Sequence, residues 1–279
     1  MDKRVYGSNK EEISMIGFGG IIVMNEEQKD ADAYVAEAID LGVDYFDVAP
    51  SYGNAEDKLG PAIKGKRNGI FLACKTEKRT AEEAQKALEA SMKKLGTDHF
   101  DLYQLHGVTT MEDVETILGP GGCLEIFEKA KRDGKIRHIG FSAHSEDAAE
   151  ALMDQYDFDS VLFPYNWVNV NVSGFGKRIL EKASQKGVTR LALKAMAHTK
   201  WAEGEEKKYP KCWYKPVYDP QLAMMAVRFT LSRDITAAVT PGHMELLRTA
   251  VKAVENFRPL DPDEEDYLRE KAKGLEPIF

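Results

Sequence analysis

The residues best suited to chemistry begin in the stretch 42–53, which reads GVDYFDVAPSYG. An apolar-rich run containing Val43 and Phe46 ends in Asp47, and Tyr52 follows a short Ala-Pro-Ser turn. A carboxylate at the end of a buried strand and a phenol on the adjoining loop make a suitable pair for polar chemistry in a pocket. The pattern predicts a site whose other members come from other strands.

The elements that must position this pair alternate along the chain between short apolar strands and amphipathic helices. We predict an N-terminal hairpin, with strands 3–6 and 13–15 around the polar segment 7–12. Eight further strands are predicted at 16–21, 45–47, 70–75, 100–106, 136–142, 160–164, 188–194 and 236–240. Helices are predicted at 30–41, 55–64, 81–95, 124–133, 146–155, 177–186, 220–231, 244–256 and 262–273, with loops at 107–123 and 195–219.

This alternation is typical of a parallel sheet whose faces are covered by helices. Eight strand–helix units in 279 residues fit a closed (β/α)₈ TIM barrel, which is routinely one domain of about 250 residues. No Pro/Gly/Ser linker or composition shift marks a boundary. We therefore expect one domain over residues 1–279, with the hairpin preceding the barrel.

Polar residues recur where the predicted strands end, and barrel enzymes place their sites at the carboxyl ends of their strands. A single charged residue there can simply be leaving the core for water. Convergence of several on one mouth is harder to explain that way. From the second to the seventh strand the terminal residues are Asp47, Lys75, His106, Ser142 with His144, Asn166 and Lys194.

Three of these residues, together with Tyr52, suit the protonation of a carbonyl oxygen. Lys75 beside Asp47 would form an ion pair, and its ammonium near Tyr52 would lower the phenol pKa from about 10. Tyr52 could then act as a general acid, while His106 orients the substrate oxygen. Because a protein has no hydride donor of its own, a nicotinamide cofactor is implied.

The overall composition excludes several other classes of protein. A formal charge of −8 and a pI near 5.4 argue against nucleic-acid binding. No apolar run approaches the length of a membrane span, and the N-terminus lacks the apolar core of a signal peptide, so we expect a cytoplasmic protein. Three scattered cysteines predict neither a disulfide framework nor a zinc site. Monomer and homodimer both remain open.

The chain resembles the aldo-keto reductases in five stretches. They are GVDYFDVAPSYGNAEDKLG (42–60), LACKTEKR (72–79), LEASMKKLGTDHFDLYQLHG (88–107), GKIRHIGFS (134–142) and TPG (240–242). The resemblance implies a barrel closed at its base by the hairpin, and reduction of an aldehyde or ketone by NADPH. It implies Tyr52 as proton donor, Asp47 and Lys75 as the residues that tune it, and His106 as the residue that orients the carbonyl.

The resemblance also implies a set of cofactor contacts. These are Gly19 and Gly20 beside the cofactor, Asp47, Ser142 at the nicotinamide carboxamide and Arg248 at the 2′-phosphate, with further contacts predicted at Asn166, Lys194, Ala195, Met196, Gly242 and Met244. NADP is favoured, and NAD remains possible because Glu245 would suit a ribose hydroxyl. Glu245 and Arg248 could equally be a surface pair three residues apart.

Several positions depart from the family pattern. The Asn that usually follows the serine is Ala143, and the family's Gln and stacking Tyr align with Leu162 and Leu193. The GFSxH pattern, with a lysine ending the seventh strand, resembles a bacterial and archaeal branch, without the four-cysteine iron–sulfur extension of some of its members.

Two other functions compete with carbonyl reduction. One is a non-catalytic nucleotide-sensing subunit with the same fold, and the other is a metal-dependent barrel hydrolase using Asp47, His106 and His144. The chain ends soon after the last predicted helix, so we expect an open site that accepts small or sugar-derived carbonyls.

Overall fold

An antiparallel hairpin leads into a closed barrel. The structure, a computed structural model, describes residues 1–7 and 11–279. The hairpin pairs β1 (Lys3–Tyr6) with β2 (Glu11–Ser14), so its second strand begins two residues earlier than predicted. The predicted turn segment 7–12 includes residues 8–10, which lie outside the described residues.

Eight parallel strands close into a TIM barrel, which confirms the predicted fold class. Adjacent barrel strands follow one another in the sequence, and the last strand pairs with both the first and the seventh. The first seven barrel strands are β3 (Ile16–Gly19), β4 (Tyr45–Asp47), β5 (Phe71–Thr76), β6 (Phe100–Val108), β7 (Ile136–Ala143), β8 (Ser160–Pro164) and β9 (Thr189–Leu193). A separate short hairpin of β10 (Ala197–Thr199) with β11 (Lys215–Pro216) follows, and β12 (Ala237–Val239) is the eighth barrel strand.

Helices cover the outside of the barrel, and every predicted helix is present with its ends displaced by at most two residues. They are α1 (Gln28–Asp40), α2 (Ala55–Ile63), α3 (Ala81–Leu95), α4 (Met111–Leu118), α5 (Cys123–Arg132), α6 (Glu146–Gln155), α7 (Trp167–Val172), α8 (Lys177–Lys186), α9 (Pro220–Leu231), α10 (Met244–Val254) and α11 (Pro262–Ala272). None of the helices in the described part of the chain is long and apolar enough to cross a membrane.

Three short elements lie where no helix or strand is predicted. The segment 107–123 contains α4, whose N-cap Thr110 accepts a hydrogen bond from the Asp113 amide. Asn166 caps α7 in the same way, through two amides. The segment 195–219 contains the β10–β11 hairpin. Such brief elements carry too few periodic positions to stand out in a sequence, since caps and packing rather than propensity stabilise them.

The inside of the barrel changes from apolar to polar along the strands. Because side chains on a strand alternate between its two faces, Tyr45 and Asp47 point inward together, as do Ala73 and Lys75. The apolar inner layer comprises Tyr6, Ile13, Tyr45, Phe71, Ala73, Leu102, Leu162, Leu191, Ala237 and Val239. The polar side chains therefore lie above a packed interior, at the carboxyl ends of the strands.

The N-terminal hairpin closes the opposite end of the barrel. The Tyr6 ring lies 4.8 Å from that of Phe71, at the start of β5. Its hydroxyl donates to Ser160 Oγ, at the start of β8, over 2.9 Å. The hairpin thus seals the base of the barrel, leaving the mouth at the carboxyl ends of the strands as the open end.

Candidate active site

A buried ion pair lies at the centre of the mouth. Asp47 on β4 is opposite Ala73 on β5, which places Lys75 two residues further toward the mouth. The Lys75 ammonium donates to Asp47 Oδ1, and each residue is 1% exposed. Burying either charge alone would be costly, so each is the counter-ion that makes burial of the other tolerable.

Two further side chains complete the surroundings of the Asp47 carboxylate, and the sequence analysis missed both. Gln104 Nε2 donates to Asp47 Oδ2 over 3.0 Å, and the Tyr45 hydroxyl donates to the same oxygen over 3.4 Å. The alternation of strand side chains could have indicated them, because Gln104 and His106 share one face of β6 and Tyr45 and Asp47 share one face of β4.

Tyr52 lies on the loop after β4, half-buried at the mouth. The Lys75 Nζ lies 5.7 Å from the centre of its ring, and the Trp213 ring is 5.9 Å away. Burial raises the pKa of Tyr52 above its usual value, while Lys75 acts in the opposite direction. The predicted net lowering of this pKa is therefore wrong, because desolvation of the phenolate outweighs the ammonium.

His106 faces Tyr52, with ring centres 6.0 Å apart and planes almost perpendicular. Its Nδ1 lies 3.4 Å from both Ser51 Oγ and Glu77 Oε1. Burial lowers the pKa of His106 to about 3, and the Lys75 charge adds to the effect. The imidazole is therefore neutral near pH 7 and has one N–H that can donate to a substrate oxygen.

A cavity of about 660 Å³ opens above these residues. It brings together much of the predicted site, including all four proposed catalytic residues. The predicted residues on its wall, with His144, are Gly19, Asp47, Tyr52, Lys75, His106, Ser142, Lys194 and Gly242. Leu162 and Leu193 also line it, so the wall where the resemblance expects Gln and Tyr is apolar.

The other predicted cofactor residues lie outside this cavity wall. Gly20 begins a buried 3₁₀ turn, and Asn166 is buried with its Oδ1 engaged in capping α7. Ala195, Met196 and Met244 are buried residues.

Arg248 lies on α10, where its guanidinium forms two hydrogen bonds with the Glu37 carboxylate over 2.6 and 2.7 Å. Glu245 approaches Lys208 at 3.7 Å. The alternative of an Arg248–Glu245 surface pair is therefore wrong, because each side chain has a partner on another segment.

One side of the cavity fits a phosphate-bearing cofactor. A Cβ atom on Gly19 would lie 2.1 Å from the Thr240 carbonyl oxygen, and one on Gly242 would lie 2.7 Å from Lys211 Cβ. Only glycine fits at these positions, because neighbouring segments of the chain fill the space that a side chain would need. The next residues begin α10, whose N-cap His243 makes no side-chain capping bond. A helix N-terminus with free amides favours a phosphate.

Ser142 fits a role as a donor on the same wall. Its Oγ accepts a hydrogen bond from the Gly107 amide over 2.8 Å, so the hydroxyl proton remains free. That proton could be donated to a carboxamide oxygen.

The long segment before α9 forms part of the cavity wall, and the sequence analysis left its role open. Lys211, Cys212, Trp213 and Tyr214 line the cavity. Lys211 Nζ bonds to Glu26 Oε1 and to the Ile22 carbonyl oxygen, so that the segment is tied to the loop after β3. It therefore runs along the mouth from the β10–β11 hairpin, past the end of β12, to the loop after β3.

Within the described residues, no group of three or more His, Cys, Asp and Glu side chains could hold a metal ion. The Asp47 oxygens accept from Lys75, Gln104 and Tyr45. A lysine ammonium in that position is a poor neighbour for a dication.

Comparisons with known proteins agree with this geometry. The sequence profile of the Aldo/keto reductase family matches residues 15–273. Uncharacterized oxidoreductase YqkF of Bacillus subtilis is 25% identical, over 98% of this chain and 97% of its own. L-galactose dehydrogenase of Arabidopsis thaliana is 26% identical, over 100% and 95%. The holo form of aldo-keto reductase AKR11C1 from Bacillus halodurans superposes with a TM-score of 0.77 at 25% identity, over 100% and 98%.

Proposed function

Because the chain belongs to the aldo-keto reductase family, we propose that it reduces an aldehyde or ketone to an alcohol with a nicotinamide cofactor. The observation that carries the proposal is the buried Asp47–Lys75 pair beneath Tyr52, at the floor of a cavity with apolar walls. This arrangement places a proton donor beside a positive charge that a buried carboxylate fixes in position. The substrates would be small or sugar-derived carbonyl compounds.

Tyr52 is the proton donor in this proposal. As the carbonyl carbon is reduced, negative charge develops on its oxygen, and the neutral phenol transfers a proton to it. The Lys75 ammonium stabilises the phenolate that remains, and Asp47 fixes that ammonium 5.7 Å from the centre of the ring. The preorganised positive charge lowers the energy of the charged state in a medium of low dielectric.

His106 binds the carbonyl oxygen during the same step. Its neutral ring donates one hydrogen bond without competing as an acid, because its pKa of about 3 lies far below physiological pH. Two donors, His106 and Tyr52, then converge on one oxygen. Water afterwards returns a proton to the phenolate.

A reduced nicotinamide supplies the hydride when it is bound. Gly19 and Gly242 would line its path, and the first turn of α10 at Met244 would receive a phosphate. Ser142 would donate to the carboxamide. Leu162 and Leu193 would give the nicotinamide ring an apolar wall.

The direct test of this function is the fall in absorbance at 340 nm when a panel of aldehydes and ketones is added with NADPH or NADH. We expect turnover of small aldehydes and open-chain sugars. Cofactor binding without turnover of any carbonyl would instead support the nucleotide-sensing alternative, and loss of activity on chelation would support a metal-dependent enzyme.

A second prediction concerns the segment that crosses the mouth. Replacing Lys211→Met removes its bonds to Glu26 and Ile22, so cofactor should dissociate about tenfold faster, since charge-assisted bonds of this kind contribute about 1.5–3 kcal/mol. Stopped-flow fluorescence of bound NADPH measures the rate. The matched control is Lys207→Met, an exposed lysine on the same segment. Equal release rates in the two variants would exclude this role for Lys211.

A third prediction concerns cofactor choice. We propose NADP as the preferred cofactor, with the Arg248 guanidinium moving from Glu37 to the 2′-phosphate, which it suits by bidentate pairing. Arg248→Met should weaken NADPH binding about tenfold and leave NADH binding unchanged. Glu37→Gln should strengthen NADPH binding, because it removes the competing carboxylate. Parallel titrations provide the check, and an equal effect on both cofactors would contradict the assignment.

A further inference from the structure

Lys194 is a buried cation on the cavity wall without an acidic partner. It follows β9, is 9% exposed, and forms no ion pair with any carboxylate in the part of the chain that the structure describes. Its backbone φ of 64° is in the left-handed region, which costs a non-glycine residue about 1 kcal/mol or more. Both features are unfavourable for folding, so packing alone does not explain why a lysine lies at this position.

The side chain is held in one position by two neighbours. Its Nζ lies 3.1 Å from His144 Nε2 and 4.7 Å from the centre of the Phe279 ring. Burial lowers the pKa of His144 to about 3, and the Lys194 charge contributes. The imidazole is therefore neutral and can accept a hydrogen bond from the ammonium, but it supplies no counter-charge.

The cavity as a whole has an excess of positive charge. Its described lining contains three lysines and one carboxylate, Asp47. Lys75 is paired with that carboxylate and Lys211 with Glu26, which leaves Lys194 without compensation. Burial lowers the pKa of Lys194 to about 7, and Lys75 adds to the effect. An anion at this point would supply the missing charge and favour the ammonium form.

The position of the ammonium favours a substrate group over a cofactor phosphate. Strand β8 lies between β7 and β9, so the Lys194 side chain reaches across the end of β8 to His144. This direction is away from β12 and from the first turn of α10.

Lys194 also lies between two hollows. The second hollow shares Lys194, Trp213 and Tyr214 with the main cavity and is also lined by Phe279. The far end of a substrate bound at Tyr52 would extend toward this point.

We propose that Lys194, positioned by His144, binds an anionic group on the carbonyl substrate, so that the enzyme acts on carbonyl compounds bearing a carboxylate or a phosphate. The inference rests on the proposed function. It replaces the cofactor contact predicted for Lys194 with a substrate contact.

Matched aldehydes test the inference on the wild-type enzyme. Succinic semialdehyde and butanal differ by one carboxylate, and glyceraldehyde 3-phosphate and glyceraldehyde differ by one phosphate. We expect kcat/KM to be at least about tenfold higher for the anionic member of one pair, as for a charged hydrogen bond. The aldehyde pair with the higher kcat/KM for its anionic member shows whether Lys194 binds a carboxylate or a phosphate. Equal values within both pairs would refute the inference without affecting the proposed function.

Variants then locate the effect. Lys194→Met should raise KM for the preferred anionic aldehyde about tenfold, with little change in kcat, in butanal kinetics or in NADPH affinity. Lys194→Arg should recover part of the loss. Lys186→Met is the control, since it removes one exposed charge on α8. A change of similar size in NADPH affinity, with both aldehydes affected equally, would assign Lys194 to a cofactor phosphate and overturn the inference.

A binding measurement separates this inference from failure of the proposed function. If no aldehyde is reduced with either cofactor, calorimetric titration of succinate and of inorganic phosphate into the wild-type protein remains decisive. Binding of one anion that Lys194→Met abolishes supports the subsite. No binding of either anion to the wild-type protein refutes it.

Discussion

Replacing Tyr52→Phe should lower kcat for carbonyl reduction by about a hundred- to ten-thousand-fold, the range that general acid catalysis contributes. The change removes only the hydroxyl. The ring keeps its contacts with His106 and Trp213, and the Asp47–Lys75 pair below it is untouched. Cofactor affinity should therefore stay close to the wild-type value. Steady-state kinetics and a fluorescence titration with NADPH measure the two quantities.

The matched control for this variant is Tyr156→Phe. Tyr156 is also half-buried, but it follows α6 and packs on Phe158, with ring centres 4.7 Å apart. Loss of its hydroxyl should not change kcat. A Tyr52→Phe enzyme that retained most of its activity would show that Tyr52 is not the proton donor.

Replacing Lys75→Met should abolish reduction and also destabilise the fold by about 3–5 kcal/mol, the usual cost of leaving one member of a buried ion pair uncompensated. Asp47 would keep its bonds from Gln104 and Tyr45 but would lose its counter-ion in a site that is almost fully buried. Urea unfolding gives the free energy, and the assay with carbonyls gives the activity.

The double variant Lys75→Met/Asp47→Asn separates the two effects. Removing both charges should restore much of the stability, because no uncompensated ion remains. Activity should stay absent, because the charge that stabilises the Tyr52 phenolate is still missing. A single Lys75→Met variant as stable as the wild type, or a double variant that regains activity, would contradict the role given to the pair.

The fold could be predicted almost completely because it repeats one local pattern. Each barrel strand is a short apolar run, and helices such as α3 have an apolar face and end at a glycine, Gly96, in the left-handed conformation. The convergence of Asp47, Lys75 and His106 followed from the strand ends, because parallel strands in a barrel present their carboxyl ends to one mouth.

What could not be predicted depends on distance in three dimensions. The Lys211–Glu26 and Arg248–Glu37 pairs each join two segments that are far apart in the chain, with separations of 185 and 211 residues. Periodicity carries no information about such pairs. The pKa of Tyr52 is a balance of burial against one ammonium, and a sequence shows the charge but not the burial.

The nicotinamide wall is the part of the site that differs most from the family pattern. Leu162 and Leu193 on that wall have no hydrogen-bond donor in their side chains. We therefore assign the Ser142 hydroxyl as the donor to the carboxamide. The same region contains Lys194, so in our proposals Ser142 on β7 would orient the cofactor, and Lys194 after β9 would bind the anionic group of the substrate.

Transfer of deuterium to the product alcohol from NADPH that carries deuterium at both C4 positions of the nicotinamide tests the central claim most directly. With an aldehyde that the wild-type enzyme accepts, we predict that mass spectrometry finds one deuterium on the former carbonyl carbon, and that Tyr52→Phe forms this product at a rate lower by about a hundredfold or more. An alcohol without deuterium, or no alcohol from any carbonyl with either cofactor, would contradict the account.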